Sequence, residues 1–257
     1  MAHAPAILGE KSLEGPPLRL IAEKLSRLIG EFVAEVSGNS KIQQKRLQGQ
    51  KVLDVFSWGK NLFLQFPEFS LKVHFLMFGS YRFNEERKGV VPRLSIVFSQ
   101  DTLNLYNCSV KILSNSDVKE LFDKELDIMS DNWNQTKTIG LMLNLSKALI
   151  CDVLLDQKVF GGVGNIIKNE ALFRGRVHPL SVIQKIPRKK LEDVANEARK
   201  FSLSFYRAVK KVESIKSQLV VYGKRQCPQC GEKVVFQKTG RTNRISYFCP
   251  SHQKFYG

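Results

Sequence analysis

Four residues near the C-terminus constrain the fold most. Cys227-Pro228-Gln229-Cys230 is followed, after 18 intervening residues, by Cys249-Pro250-Ser251-His252. Two ligand pairs, each with two residues between, converge on one tetrahedral ion when a hairpin brings them together, the arrangement of a zinc ribbon. Imidazole serves as the fourth ligand beside three thiolates, so Cys227, Cys230, Cys249 and His252 form a complete set for one structural zinc. With every position filled there is no open site, and the ion shapes a finger without performing chemistry. A reduced cysteine pair with chance neighbours is the plainer reading. Arg241 and Arg244 lie in the intervening hairpin, where its tip can reach a phosphate or a groove.

The remaining cysteines and the charge limit what surrounds this finger. Five cysteines, three of them in the last 31 residues, argue against a disulfide framework and for a reducing compartment. Forty Lys and Arg against 24 Asp and Glu give a net charge of +16. Such a charge repels itself in a compact fold unless a polyanion is at hand, which makes nucleic acid the first candidate partner. Residues 185–257 hold 17 basic and 5 acidic residues, about three quarters of the net charge, so the C-terminal part is expected to make most phosphate contacts. A lysine-rich surface that merely confers solubility is the bland alternative. The first twelve residues, MAHAPAILGEKS, read as neither signal peptide nor anchor. No segment approaches the roughly 18 apolar residues of a membrane span.

Periodicity divides the chain. Leu18, Ile21, Leu25, Leu28 and Ile29 fall on one helical face, with Pro17 suited to the first turn and Gly30 a stop. From Lys51 to Leu113 the period becomes two: Leu71, Val73 and Phe75 alternate with Lys72 and His74, and Leu94, Ile96 and Phe98 repeat the pattern. This predicts several antiparallel strands in a sandwich. A polar passage between Ser116 and Asn134 predicts a short helix and a linker, and a second domain beginning near Thr136. There, Leu141, Leu145, Leu149 and Val153 are spaced by four, and Leu191, Val194, Ala198, Phe201 and Phe205 form a second helical stripe.

Between those stripes lies Phe160-Gly161-Gly162-Val163-Gly164-Asn165. Glycines let backbone amides approach an anion, and the helix that follows would aim its positive N-terminus at a phosphate. A generic corner between two helices explains the same residues. The loop fits neither the phosphate loop of nucleotide hydrolases nor the dinucleotide fingerprint. Trp58-Gly59-Lys60-Asn61-Leu62 places a lysine at a strand start after a glycine, and Ser12-Leu13-Glu14-Gly15-Pro16-Pro17 holds one acid in a constrained backbone ahead of a helix.

In order, Glu-Gly-Pro before a helix, Trp-Gly-Lys before a strand, the Gly-Gly-Val-Gly-Asn-Ile turn and a terminal four-ligand finger resemble the formamidopyrimidine-DNA glycosylase and endonuclease VIII family. The resemblance runs from residue 13 to 255. It implies an α+β chain: an N-terminal β-sandwich with a leading helix over 13–130, a helix-two-turns-helix domain over 136–215 and a zinc finger over 222–257. It implies a monomer that binds damaged DNA, double- or single-stranded, with zinc as its one cofactor, in the cytoplasm: nucleoid-associated in a bacterium, nuclear in a eukaryote. Carried over by position, Glu14 resembles the family's proton-shuttling glutamate. Lys60 resembles its essential strand lysine, Asn165 its phosphate-binding turn asparagine and Arg244 its finger arginine. Met77 resembles the wedge that fills the gap left by an extruded base.

One position departs from the family. There the motif begins at the mature N-terminus with a proline whose secondary amine attacks the sugar. Here Leu13 stands in its place behind twelve residues, and an amide nitrogen inside a chain is delocalised into the peptide bond. Three accounts follow. Cleavage after Ser12 exposes a primary amine; or translation starts elsewhere; or the chain recognises lesions without robust cutting, or cuts through Lys60 as a substitute amine. A noncatalytic damaged-DNA binding protein is therefore the alternative to a glycosylase and AP lyase. A zinc-ribbon transcription or RNA-binding factor explains the finger and charge but leaves Glu14 and Lys60 unexplained.

Overall fold

A computed structural model of the chain describes residues 13–257. The expectations placed on residues 1–12, that they hold no leader and that cleavage follows Ser12, lie outside the described residues. The chain forms two compact units that divide between Asp123 and Lys124.

In the N-terminal unit, Glu14 is extended and caps helix α1, Gly15–Leu25. Gly15, Pro16 and Pro17 occupy the first turn, where amide hydrogens have no intrahelical partner, so the prolines cost nothing there. Leu18, Ile21 and Leu25 are buried as the spacing predicts, and a 3-10 turn at Ser26–Leu28 adds Leu28. Ile29 departs from the predicted face: it turns extended after the 3-10 turn and is 44% exposed.

The strands are β1 Glu35–Ser37, β2 Asp54–Trp58, β3 Asn61–Gln65, β4 Phe69–Phe83, β5 Leu94–Val97 and β6 Thr102–Ser114. Short β1, only three residues long, precedes the region where alternation was visible. All six belong to one antiparallel sheet of order β1-β5-β6-β4-β3-β2. Long β4 and β6 pair along most of their length, with a register shift between Phe75 and Ser80. On one side of that shift β4 carries β3; on the other β6 carries β5. Leu62, Leu71 and Val73 from one half, Leu94, Ile96 and Leu105 from the other, and α1 share a single core. The two sandwich layers are thus halves of one sheet folded across its own bulge. Helix α2, Asn115–Leu121, is capped by Ser114 Oγ, which accepts from the Asp117 amide at 3.0 Å. It covers a small outer cluster of Trp58, Phe63 and Val118.

The C-terminal unit comprises α3 Gln135–Asn144, α4 Ile150–Val153, α5 Asn165–Gly175, α6 Arg188–Lys210, and a hairpin of β7 Val235–Thr239 with β8 Arg244–Phe248. Residues 124–130 belong here because the Ile128 amide donates to Gly161 O, and the Gly161 amide to Leu126 O, each at 2.8 Å. The stripe on α6 is buried as predicted. The other stripe is divided: α3 ends at Asn144, buries Thr138, Ile139 and Met142, and α4 begins afresh at Ile150. Residues 145–148 between them form a turn, closed by the Ala148 amide on Leu145 O, and Leu149, bridged to Val182, is extended ahead of α4. Between α4 and α5 run two consecutive turns, closed by Phe160 N to Asp156 O at 2.8 Å and Val163 N to Phe160 O at 3.3 Å. The finger is continuous with this unit: Phe173 of α5 packs with Val221, Cys227, Val234 and Cys249. Among the described residues, no helix is long and apolar enough to cross a membrane.

Candidate nucleic-acid interface and metal centre

In the N-terminal unit, Glu14 is buried at 3% exposure, and its carbonyl accepts from the Leu18 amide. Leu13 packs, partly buried, against the main core. Lys60 occupies the two-residue turn between β2 and β3 and so precedes the strand on which it was expected. Gly59 takes φ 57° there, the left-handed geometry a tight hairpin needs. Helix α1 packs on β2 and β3, so the acid and the lysine are carried on elements of one packed layer.

The structure adds His74, which alternation alone had marked only as an outward strand residue. Its Nδ1 lies 2.9 Å from Lys60 O, fixing the Lys60 turn to β4. Burial lowers its pKa first, and the charges of Lys72 and Lys60 lower it further against the opposing effect of the Lys60 carbonyl. Lys72 stands opposite Lys111 across the ladder and over the Phe122 ring; burial, then Lys111, lower its pKa. Lys72, His74 and Lys111 alternate with the core residues Leu71, Val73 and Val110, so they lie on the sheet face away from the α1 core, where Lys72 meets Phe122 and His74 meets the Lys60 turn.

Met77 lies in the bulge of β4 and is exposed with its neighbours Leu76 and Phe78, the last at 61%. Phe78 holds φ 62° and its counterpart on β6, Asn107, φ 46°. That geometry is strained for Phe78 but readily adopted by asparagine, and the Asn107 Nδ2 donates to Met77 O at 2.6 Å. Strain held in place by a cross-strand bond presents three apolar side chains together, where sequence had marked Met77 alone.

In the C-terminal unit, α5 organises the basic features. Asn165 opens the helix after Gly164, is nine-tenths buried, and its Oδ1 has no hydrogen-bond partner. Gln157 shapes the glycine turn ahead of it, donating to Val163 O at 3.1 Å and accepting from the Gly162 amide at 3.0 Å. One turn on, buried Lys168 donates to Ser246 Oγ at 2.9 Å, and Asn169 Oδ1 accepts from the Tyr247 amide at 2.7 Å. Those contacts fix β8, whose first residue is exposed Arg244. The hairpin tip is pinned as well: the Asp152 carboxylate accepts from the Arg241 amide at 3.0 Å and the Thr242 amide at 3.2 Å. Asn165 and Arg244 are therefore held by one scaffold.

Of the four metal-ligand candidates, the structure brings three together. The sulfurs of Cys227, Cys230 and Cys249 all lie within 4.8 Å of one another, with Cys230 and Cys249 3.4 Å apart. Thiolates ~2.3 Å from a tetrahedral ion sit about 3.8 Å from each other, so this triad fits three corners of a zinc site. His252 is outside the cluster: its ring lies 4.4 Å from that of Phe173 and interacts with the Phe173 backbone. Burial pushes the Cys249 thiol up to about 11, with Cys230 adding to the effect. Burial acts the same way on Cys227, but the amides of Gln229 and Cys230 and the neighbouring thiols outweigh it and bring that pKa down.

Comparison with known proteins bears on this arrangement. The family model described as the formamidopyrimidine-DNA glycosylase H2TH domain matches residues 117–218. The chain is 32% identical over 237 residues to endonuclease 8-like 3 of Mus musculus, covering 86% of this chain and 39% of that one. It thus spans about two fifths of that relative's length. It is 29% identical over 243 residues to formamidopyrimidine-DNA glycosylase of Lactobacillus helveticus, with 82% and 84% covered. Among solved structures, the Lactococcus lactis formamidopyrimidine-DNA glycosylase bound non-covalently to DNA containing an AP site matches with TM-score 0.81 and 20% identity, over 94% of this chain and 99% of that one, which speaks to the fold. The four sequence motifs in their order, the two turns between α4 and α5, and these likenesses together support the chain's similarity to the formamidopyrimidine-DNA glycosylase and endonuclease VIII family.

Proposed function

We propose that the chain is a base-excision-repair DNA glycosylase with AP lyase activity, acting on damaged bases extruded from DNA. The observation that carries this reading is the α5 scaffold. One helix opens with a buried asparagine whose amide lacks a full set of protein partners, and through Lys168 and Asn169 it fixes the strand that begins with Arg244. The backbone amides at a helix N-terminus suit a phosphate oxygen, and the exposed Arg244 held by the same scaffold suits a second, while the Asn165 Oδ1, itself an acceptor, is open to a donor.

In this reading the amine attacks the anomeric carbon, the bond to the damaged base breaks, and the base leaves with a proton. Glu14, buried at the mouth of α1, moves protons to open the sugar and later to resolve the imine. Loss of a 2′ proton then breaks the C3′–O bond, and the strand parts 3′ to the lesion. The attacking amine is that of Leu13 freed by processing, or that of Lys60. Lys60, Asn165 and Arg244 hold phosphates, and the Met77 bulge fills the vacated stack. Cys227, Cys230 and Cys249, with His252 as the candidate fourth ligand, would hold a zinc ion that stabilises the finger.

Borohydride trapping on abasic-site DNA, with intact mass and peptide mapping of the adduct, tests the reading. An adduct at residue 13 of a processed chain, or at Lys60, supports the lyase. Tight lesion binding without any adduct replaces it with the noncatalytic binder.

A further inference from the structure

The finger hairpin has two faces, and the family reading uses only one. Thr239 pairs with Arg244 and Gln237 with Ser246, while Phe236 pairs with Tyr247 and Lys238 with Ile245. Side chains alternate along a strand, so Phe236, Lys238, Ile245 and Tyr247 lie on the face opposite Arg244. The Arg244 face buries Thr239, Ser246 and Phe248 against its own unit. The other face is open, with Phe236 64% exposed. Its rings form a short ladder: Phe236 and Tyr247 are stacked with centroids 6.1 Å apart, and Tyr222 meets Tyr247 at 4.9 Å. A groove of about 710 Å³ runs along it, lined by Phe236 and Tyr247 together with Lys224, Arg225 and Lys233. Among the described residues, none of these three cations is engaged in an ion pair.

We infer that this outer face of the finger binds single-stranded nucleic acid, its phosphates along Lys224, Arg225 and Lys233 and a base stacked on the Phe236–Tyr247 pair. Three uncompensated cations call for a polyanion, and an exposed aromatic pair supplies a ring face. Bases in a duplex already spend their faces on each other, so the rings reward only unstacked ones; a groove combining cations with such rings is built for single strands. The inference rests on the reading that the chain binds nucleic acid, yet it uses none of Glu14, Lys60, Asn165 or Arg244.

The test is fluorescence anisotropy of the full chain with lesion-free oligothymidine and, in parallel, with an abasic-site duplex. Phe236→Ala should weaken oligothymidine binding roughly tenfold and leave duplex affinity unchanged, and Phe236→Tyr should restore it. Replacing Lys224, Arg225 and Lys233 together by Gln should lower the salt slope on oligothymidine by about two. Wild-type affinity in Phe236→Ala, or an equal loss on both probes, overturns the inference. A wild-type chain that binds the duplex but not oligothymidine also overturns it. One that binds neither overturns the proposed function instead.

Discussion

Asp152 and Arg241 are 89 residues apart in sequence and joined by a 3.0 Å hydrogen bond from the Arg241 amide to the Asp152 carboxylate. With the Thr242 amide on its other oxygen, the carboxylate holds the hairpin tip from the side of α4. A buried carboxylate accepting two amides is worth more than a neutral contact, about 1.5–3 kcal/mol for each charged bond. With two such bonds lost, Asp152→Ala should therefore lower the unfolding free energy by roughly 3–6 kcal/mol and weaken binding to abasic-site DNA. Gly240→Ala should act likewise, because Gly240 sits at φ 65° and an added Cβ would collide with the Asp152 carboxylate. Thermal melts and duplex anisotropy check both; wild-type behaviour of either variant would refute the pin.

A second acid serves the start of the finger. Glu170 is fully buried in α5, and its carboxylate accepts from the amides of Val220, Val221 and Tyr222 at 3.0–3.1 Å while pairing with Arg174. Three backbone donors gathered on one carboxylate resemble a capped helix end supplied from elsewhere in the chain. Glu170→Ala leaves one buried and two part-buried amides without their acceptor and Arg174 without its ion-pair partner, and should cost about 3–5 kcal/mol. Glu170→Gln keeps the shape and one acceptor and should cost less. Urea titration of the two variants measures the difference, and equal losses would contradict the assignment.

These two acids mark where sequence reading stops. A stripe such as Leu191 to Phe205 is legible because all its partners repeat on one local period. The spacing of Leu141, Leu145, Leu149 and Val153 obeys the same rule but is cut after Asn144, where a turn leads to Leu149 and its bridge to Val182, a pairing that no local pattern encodes. The Cys-x-x-Cys pair and the glycine turn are legible because metal geometry and turn geometry demand fixed spacings. Glu170 reads as one more polar residue on a helix, since its partners lie some 50 residues downstream. His74 was hidden differently: a polar residue between Val73 and Phe75 is what alternation expects, and only the fold brings it to Lys60. His252 shows the converse, a correct spacing whose ring lies against Phe173.

His74 makes a pH-dependent contribution with a definite sign. Burial foremost, then the neighbouring lysines, lower its pKa below the ordinary 6.5, so the unfolded chain binds a proton at that position more readily than the folded one. The stability associated with neutral His74 is fully present above 6.5 and is lost as pH falls from there through the folded-state value. Wild type should therefore lose stability between roughly pH 7 and 5 more steeply than His74→Gln. His178 and His252 are also lowered by burial, so the difference between the two pH profiles, not either profile alone, carries the test. Parallel profiles would refute it.

Removal of metal should act on one unit. If zinc ties Cys227, Cys230 and Cys249, a strong chelator should lower the melting temperature of the C-terminal unit and leave the N-terminal core, which contains none of these residues, unaffected. Stoichiometry by atomic emission should give one ion per chain in wild type. His252→Cys should retain it and His252→Ala should bind it more weakly, by about 10–100-fold. An apo chain that melts and binds DNA like the untreated one would contradict a structural ion.

The bulge at Met77 invites a graded test of wedging. Leu76, Met77 and Phe78 are exposed together because Phe78 and Asn107 both hold positive φ and the Asn107 side chain bonds Met77 O. A wedge replaces stacking lost when a base leaves the duplex, worth a few kcal/mol per step, so its apolar volume matters more than its identity. Met77→Ala should reduce excision from duplex DNA by about 10-fold and from single strands far less, since a single strand has little stacking to replace. Phe78→Ala should deepen the defect in the double variant. Asn107→Ala removes the bond that aims the loop while leaving all three apolar side chains in place. If aim matters as well as volume, it should reproduce part of the Met77→Ala defect on duplex DNA without changing thermal stability by more than about 1 kcal/mol. Equal losses on duplex and single strand in Met77→Ala would assign the loop to general binding and reject the wedge.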